Sequence, residues 1–342
     1  MAEQSSKPAN PTHDGSKAPL KPRRDGGGVL RRILAFKEAS ILVIFFLLCA
    51  VLSLVSPYFL TVDNLTNVVR QFSMTAIISV GMTMVIITAG IDLSVGSIVG
   101  FAGCVTGWML VDGYTVWFSI FVGLLVGILV GFVNGSLVVW IGLPPFIATL
   151  GTMGIARGLA LVITRGYPIQ PFPDEFLWIA QGYVGPIPVP VFVMAVVLIL
   201  GHIFLSRTTS GRYLYCIGSN PVAARLSGIN VNRTLMLAYT ITGFVSAISA
   251  VILIARLSSA QADNGTGWEL DVIAATIIGG ASLGGGEGTI LGAILGVLII
   301  GTLRNGLVLM GISPFWQETV IGAVIILAVG IDKWTRQSRQ QT

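Results

Sequence analysis

Between Lys37 and Lys333 the sequence contains no lysine, and the only others stand at positions 7, 17 and 21. A phosphate-cradling loop of the Gly-x-x-x-x-Gly-Lys-Ser/Thr type is therefore impossible in the body of the chain. Gly284-Gly285-Gly286-Glu287-Gly288-Thr289 imitates such a loop, but it has no lysine to reach the β- and γ-phosphates. Glu287 also puts negative charge where phosphate would sit. The chain does not itself hydrolyse ATP. Histidine is as scarce: His13 and His202 are the only two, and no His-x-x-x-His, His/Cys cluster or Asp-Asp-x-x-Asp run supplies zinc or magnesium ligands. Cys49, Cys104 and Cys216 form no spaced pair, which argues against both a disulfide framework and a metal site. These absences disfavour an enzyme and predict no bound cofactor. Charge is the last scarcity. Only 10% of residues are Asp, Glu, Lys or Arg against 54% hydrophobic, far from a soluble globular composition.

What is present is a succession of about ten apolar runs, each close to the roughly 20 residues needed to cross about 30 Å of hydrocarbon. The expected class is all-α, a polytopic membrane protein embedded in the lipid bilayer. The first five spans are placed at Ser40–Leu60, Arg70–Ala89, Leu93–Val111, Val116–Ile141 and Pro145–Ile163. The other five are Pro188–Leu205, Leu235–Ile254, Glu269–Gly285, Thr289–Met310 and Pro314–Ile331. Residues 1–38 read as a disordered cytoplasmic tail, because Met1 to Gly28 is rich in Ser, Pro, Lys, Asp and Gly and has no apolar period. This leader is too long for a secretory signal, and no small-x-small cleavage site follows the first run. Residues 39–333 form the transmembrane domain, with a cytoplasmic loop at 207–234, and residues 334–342 a second cytoplasmic tail.

The net charge of +5 could suggest nucleic acid, but the basic residues instead mark topology. With both termini inside, fifteen of the 20 basic residues are cytoplasmic, and the exceptions are Arg70, Arg157, Arg165, Arg256 and Arg304. No nucleic-acid partner is expected.

Ionisable groups in spans are functional candidates by default, and here they are few. Asp92 lies between spans two and three, in Gly90-Ile91-Asp92-Leu93-Ser94-Val95-Gly96-Ser97. Two readings stand: N-cap of span three, or holder of a Gly-broken turn that moves. Gly280-x-x-Leu283-x-x-Gly286 echoes Gly90-x-x-Leu93-x-x-Gly96, as internal repeats with interrupted helices would. Glu318, Glu287 and Arg304 lie near span ends, where snorkelling to the interface suffices. In the 207–234 loop, Asn220 suits an N-cap, Pro221 the first helical position and Gly228 the stop. That short helix is either a solvated loop or a docking element for a soluble engine.

Three blocks carry a resemblance: Gly90–Ser97, the Gly-rich segment Ile277–Gly288 and the Gly211–Arg233 loop. Together, in this order, they resemble the permeases of bacterial monosaccharide ABC importers, closest in pattern to the ribose type, from about Ile41 to Lys333. The resemblance implies an ABC importer permease fold in the bacterial inner membrane, with no catalytic residue. Its implied partners are a second permease copy (a homodimer), a cytoplasmic ATPase subunit that binds ATP, a periplasmic sugar-binding protein and the sugar. Pro221, Val222, Ala223, Ala224, Arg225 and Gly228 match the coupling helix, with Val222 where the motif elsewhere opens with Glu. Gly90, Asp92, Gly96, Gly280 and Gly286 are the gating or hinge candidates. Arg70, Arg165 and Arg256, basic on outer loops, are candidates for docking the binding protein. Phe146, Trp108 and Trp140 could stack on sugar CH faces, although packing or interface anchoring suits each as well. Related permeases for branched-chain amino acids or nucleosides share the plan. A stand-alone secondary carrier is disfavoured because the sequence offers no chain of buried Asp, Glu and His.

Overall fold

The computed structural model describes residues 37–330 apart from 314, 325, 328 and 329. Of the expected tails, 1–38 and 334–342, all but residues 37 and 38, which open a helix, lie outside the described residues.

The described residues are helical nearly throughout. Twelve helices run α1 (Lys37–Val55), α2 (Val62–Ile87), α3 (Val95–Val111), α4 (Val116–Ser136), α5 (Pro145–Thr164), α6 (Asp174–Gln181), α7 (Val189–Arg207), α8 (Thr209–Ser219), α9 (Pro221–Leu226), α10 (Val231–Leu257), α11 (Trp268–Ile278) and α12 (Ile290–Leu309). Residues 315–324 are also helical, and a π turn, Leu137–Ile141, extends α4 to a left-handed Gly142. Among the described residues six segments have the length and apolarity to cross a bilayer: α2, α4 with its π turn, α5, α7, α10 and α12. Ala39–Val55 and α3 are apolar but shorter.

The second span starts earlier than the sequence suggests, at Val62 rather than Arg70. The eighth expected span, Glu269–Gly285, is not one helix. α11 stops at Ile278, because Gly280 takes φ +91° and closes the helix in a Schellman-type end, with Ala281 N–H donating to Thr276 O. α2 ends the same way, with left-handed Ala89 and Gly90 N–H donating to Val85 O. The sequence echo thus marks two matching helix ends, offset by one residue.

α2, α3 and α10 form the centre. From Phe72 to Ile87 α2 is buried almost without break, and α10 is buried from Val245 to Ala255 apart from Ile248. α4 crosses α10 closely because Gly127, Gly131 and Gly135 recur every fourth residue on one face, while Gly123 lies against Thr106 of α3. A Cβ at Gly127 would lie 2.5 Å from both Ala247 Cβ and Gly243 O. Small residues at this spacing let helix backbones approach within a membrane, where no hydrophobic driving force draws helices together.

At one end of α10, α6 acts as a latch. Phe176 is fully buried and meets Phe172 edge-on, with centroids 5.5 Å apart. Gln181 Nε2 donates to Ala255 O and Ser258 Oγ, each at 3.0 Å. A short hairpin (β1 Tyr183–Val184, β2 Ile187–Pro188) follows, and an isolated bridge between Ile169 and Ala260 ties the two loops of this end together. α8 and α9 occupy the opposite end.

Gly127→Val should force α4 and α10 apart and cost about 1–3 kcal/mol through overpacking. Thermal unfolding of the detergent-purified protein should show this as a lowered midpoint, whereas the same change at Gly154, a helical glycine with open space around it, should not.

Candidate functional site

Of the gating candidates, Gly286 packs directly against the segment that leads into α9. Asn220 caps α9 as expected: its Oδ1 accepts from Val222 N at 3.0 Å and Ala223 N at 2.9 Å, and Pro221 takes the first helical position. The helix closes at Ser227, and Gly228 follows with φ +82°. Ala224 is buried against Ile217, Ile229 and Val231. Val222 and Leu226 are exposed, at 66% and 85%. A six-residue helix pinned at its buried side thus offers an apolar outer side.

Just before α9, Gly218 packs backbone to backbone on the ends of two other helices. A Cβ there would strike Ile87 O and Gly286 N, and Gly286 N–H itself donates to Ile87 O at 2.8 Å. Tyr215 Oη donates to Gly288 O at 2.7 Å. Gly286, at φ +76°, lies against Ser219, while Gly280 has open space around it. The segment leading into α9, the end of α2 and the Gly-rich turn after α11 therefore share one junction.

The Gly90–Gly96 block sits one layer deeper. Asp92 is fully buried, but it is not the N-cap of α3, since Ser94 holds that position. Asp92 Oδ1 instead accepts from Ser94 N at 2.9 Å and Ser94 Oγ at 2.6 Å. Asn134 of α4 donates to Ser94 Oγ at 2.7 Å, and Thr152 of α5 donates to Asn134 Oδ1 at 2.5 Å. Thr149 of α5 donates to Ile91 O and accepts from Leu93 N, each at 3.1 Å. The block is thus fastened to α4 and α5 by a buried polar network. Gly90 lies against Tyr239 Oη, where a Cβ would come to 2.6 Å. Gly96 lies against Gly265 O and Glu269 Oε2, too close for any Cβ.

That last contact reveals what the sequence reading missed. After α10 the chain turns back along α3: Ala260 lies against Gly107, the carbonyls of Ala262 and Asn264 against Gly100, and Gly265 against Gly96. Eleven helical residues span about 16 Å, roughly half the hydrocarbon thickness. Arg157 of α5 holds this non-helical stretch, donating from Nη1 to Ala262 O and to Asn264 O at 3.0 Å. α11 then begins inside the bundle. Near its start Arg304 pairs with Asp271 (Nη2 to Oδ1 3.0 Å, to Oδ2 2.9 Å) and with Glu318 (Nη1 to Oε1 3.2 Å). Arg304 and Glu318 do not simply snorkel; they form an ion-pair cluster joining α11, α12 and the following helical segment. Charge pairs with no close sequence spacing leave no motif. Only the rarity of Arg304 and Asp271 in apolar runs could have flagged them.

Of the basic candidates expected on outer loops, Arg70 and Arg256 lie within helices, in α2 and the last turn of α10, and near enough for their charges to interact. Arg165 is the exposed, left-handed C-cap of α5. Arg70 is half-buried with its guanidinium 4.9 Å from the Tyr183 ring centroid, and half-buried Arg256 ends α10. Trp140 stacks edge-on with Phe132, and Trp108 and Phe146 are about half exposed. Among the described residues no group of three or more His, Cys, Asp or Glu is suited to a metal ion.

Residues 64–329 match a family model described as branched-chain amino acid transport system / permease component. The chain belongs to this permease family. It is 44% identical over 308 residues to the ribose import permease protein RbsC of Bacillus subtilis (strain 168), covering 90% of this chain and 94% of the relative. It is 42% identical over 299 residues to that of Escherichia coli (strain K12), covering 86% and 93%. To the D-allose transport system permease protein AlsC of E. coli K12 it is 38% identical over 294 residues, covering 84% and 90%. No solved structure matches the chain. It is a multi-pass membrane permease of the ribose-type ABC importer group.

Two substitutions separate the bonds of Asp92 from its charge. Asp92→Ala leaves the Ser94 N–H and hydroxyl without their buried acceptor and should cost about 1–3 kcal/mol, whereas Asp92→Asn keeps an acceptor oxygen and most of the stability. Thermal unfolding of the purified protein should rank wild type, Asn and Ala in that order. Equal loss in both variants would shift the weight from the Ser94 bonds to the charge.

Proposed function

We propose that this chain is the membrane-spanning subunit of an ATP-driven, binding-protein-dependent importer of a monosaccharide, ribose or a related sugar. The observation that carries the reading is near full-length similarity to ribose import permeases, supported by the capped, apolar-faced α9. Two copies form the pore in the bacterial inner membrane. A cytoplasmic ATPase subunit receives α9 of each copy, and a periplasmic sugar-binding protein docks on the α6 end. Pro221, Val222, Ala223, Ala224, Arg225 and Gly228 form the coupling element, and Val222 makes its first contact apolar. Closure of the ATPases draws the two α9 helices together. The Gly218–Ile87–Gly286 junction carries that movement to α2 and to the turn between α11 and α12. Gly90, Asp92, Gly96, Gly280 and Gly286 flank the moving parts, and Arg70, Arg165 and Arg256 face the binding protein.

A second reading is import of a branched-chain amino acid, favoured by the family description. The complex reconstituted in liposomes separates the two. ATPase activity should rise with a ribose-loaded binding protein from the same operon and not with a leucine-loaded one. Stimulation by the leucine-loaded protein alone, or uptake by this chain without ATP, would overturn the proposal.

Ten spans with both termini cytoplasmic complete the reading, supported by the distribution of basic residues. In a cysteine-free background, Gly185→Cys in the hairpin should react with an impermeant thiol reagent from outside intact cells. Gly228→Cys after α9 should react only after permeabilisation. The reverse pattern would invert the map.

A further inference from the structure

Arg70 and Arg256 are half-buried within reach of each other's charge at the α6 end, and among the described residues neither forms an ion pair. Nε and Nη2 of Arg70 are out of contact with solvent and have no hydrogen-bond partner. The Arg70 guanidinium carbon lies 4.9 Å from the centroid of the Tyr183 ring, whose face offsets part of the lost hydration but accepts none of the open N–H groups in a normal hydrogen bond. Like charges held together away from bulk water are costly. An anion shared by the two would relieve the repulsion and satisfy the donors. Helical side chains lean toward the N-terminus, which for α2 is the α6 end, so Arg70, about 12 Å from the start of α2, reaches toward that end. Arg256 meets it from the last turn of α10. Beside them in the chain Val69 and Leu257 are exposed, and so are Trp178, Tyr183, Val184 and Ile187 of α6 and the hairpin. Aromatic and aliphatic side chains open at a helix end mark the headgroup level of a bilayer.

We propose that Arg70 and Arg256 together bind the phosphodiester of an anionic phospholipid from the outer leaflet. A guanidinium presents a fork of N–H donors that matches phosphate oxygens, and a diester keeps two unesterified oxygens, one for each arginine. The acyl chains then lie along the open aliphatic side chains beside the pair. A lipid fits this place better than the carboxylate of a docked protein. Arg70 is half-buried in the bundle beneath the hairpin, whereas a flexible headgroup can approach sideways, in the plane of the membrane, past Val69 and Leu257. The proposal rests on the reading above only for which side this end faces. It puts a ligand between the two arginines and whatever docks over them, and leaves direct contact with the docked protein to the exposed Arg165.

The test uses the full-length permease in detergent, stripped of native lipid and titrated with dioleoylphosphatidylglycerol, with dioleoylglycerol (which lacks the phosphate) or with inorganic phosphate. The readouts are the thermal unfolding midpoint and the number of lipids retained in native mass spectrometry. Phosphatidylglycerol should bind and raise the midpoint saturably by about 2–4 °C, and the other two additives should not. Arg70→Gln and Arg256→Gln should each weaken the apparent affinity about tenfold, with Arg256→Lys, which keeps the charge without the fork, in between. Should Arg70→Gln fail to accumulate, the two Arg256 variants decide. No response in the wild type, or an equal response in the wild type and Arg256→Gln, would overturn the site. An equal response to inorganic phosphate would make the ligand a free anion, and an equal response to dioleoylglycerol would make the contact apolar; either overturns the lipid assignment. The lipid readouts need neither sugar nor ATPase, so they fail or succeed separately from the importer reading.

Discussion

Hydrocarbon offers no partner to a bare N–H or C=O, so any chain that leaves the helix inside a membrane must find its hydrogen bonds in the protein. The stretch from Ser258 to Gly267 faces that constraint, and much of the molecule answers it. α3 presents Gly96, Gly100 and Gly107 so that the irregular backbone can lie directly against it. Arg157 reaches across from α5 to two of its carbonyls. α6 holds its upper end through Gln181, and the Ile169–Ala260 bridge ties that end to the neighbouring loop. A half-length helix, α11, becomes possible only because this support exists.

The opposite end is built on a different economy, that of backbones with nothing between them. Gly218, Ile87 and Gly286 meet without a side chain to cushion the contact. Cushioned contacts absorb displacement by rotamer changes, but a backbone contact has no such slack. A displacement of α8 at Gly218 would therefore be felt at once by the end of α2 and by the α11–α12 turn. The buried bonds from Asp92 through Ser94 and Asn134 to Thr152 bind the neighbouring block to α4 and α5, so that block follows those helices.

The helical class and the position of α9 were legible because they rest on local rules: apolar run length, and the Asn220, Pro221 and Gly228 punctuation. The Gly-rich blocks were legible as markers but not as places, since nothing in Gly90–Gly96 announces that Gly96 will face Gly265 across the fold. Asp92 could be read either as a cap or as the holder of a turn, because the sequence does not show that its carboxylate would close on Ser94 two residues later, nor that Asn134 would reach the same Ser94 from α4. The eighth span was read as continuous because Ala281 and Leu283 extend its hydropathy past the helix end that Gly280 enforces. The Asp271–Arg304–Glu318 cluster was invisible because its members are 14 and 33 residues apart and meet only through packing.

The helices differ in length in a way that sorts them by neighbour. α10, with 27 residues, measures about 40 Å, while α7, with 19, measures about 28 Å. α10 is largely enclosed by other helices, and α7 is among the most exposed. The bilayer is thus met by a helix matched to its thickness, while the overlong one is hidden from it. A thicker or thinner membrane would therefore load α7 before α10, through tilt or stretch of the surrounding lipid. α7 leads into α8 across the single residue Thr208, and α8 runs directly to the Gly218 junction. Lipid composition would thus load α7 and, across Thr208, the helix that carries Gly218.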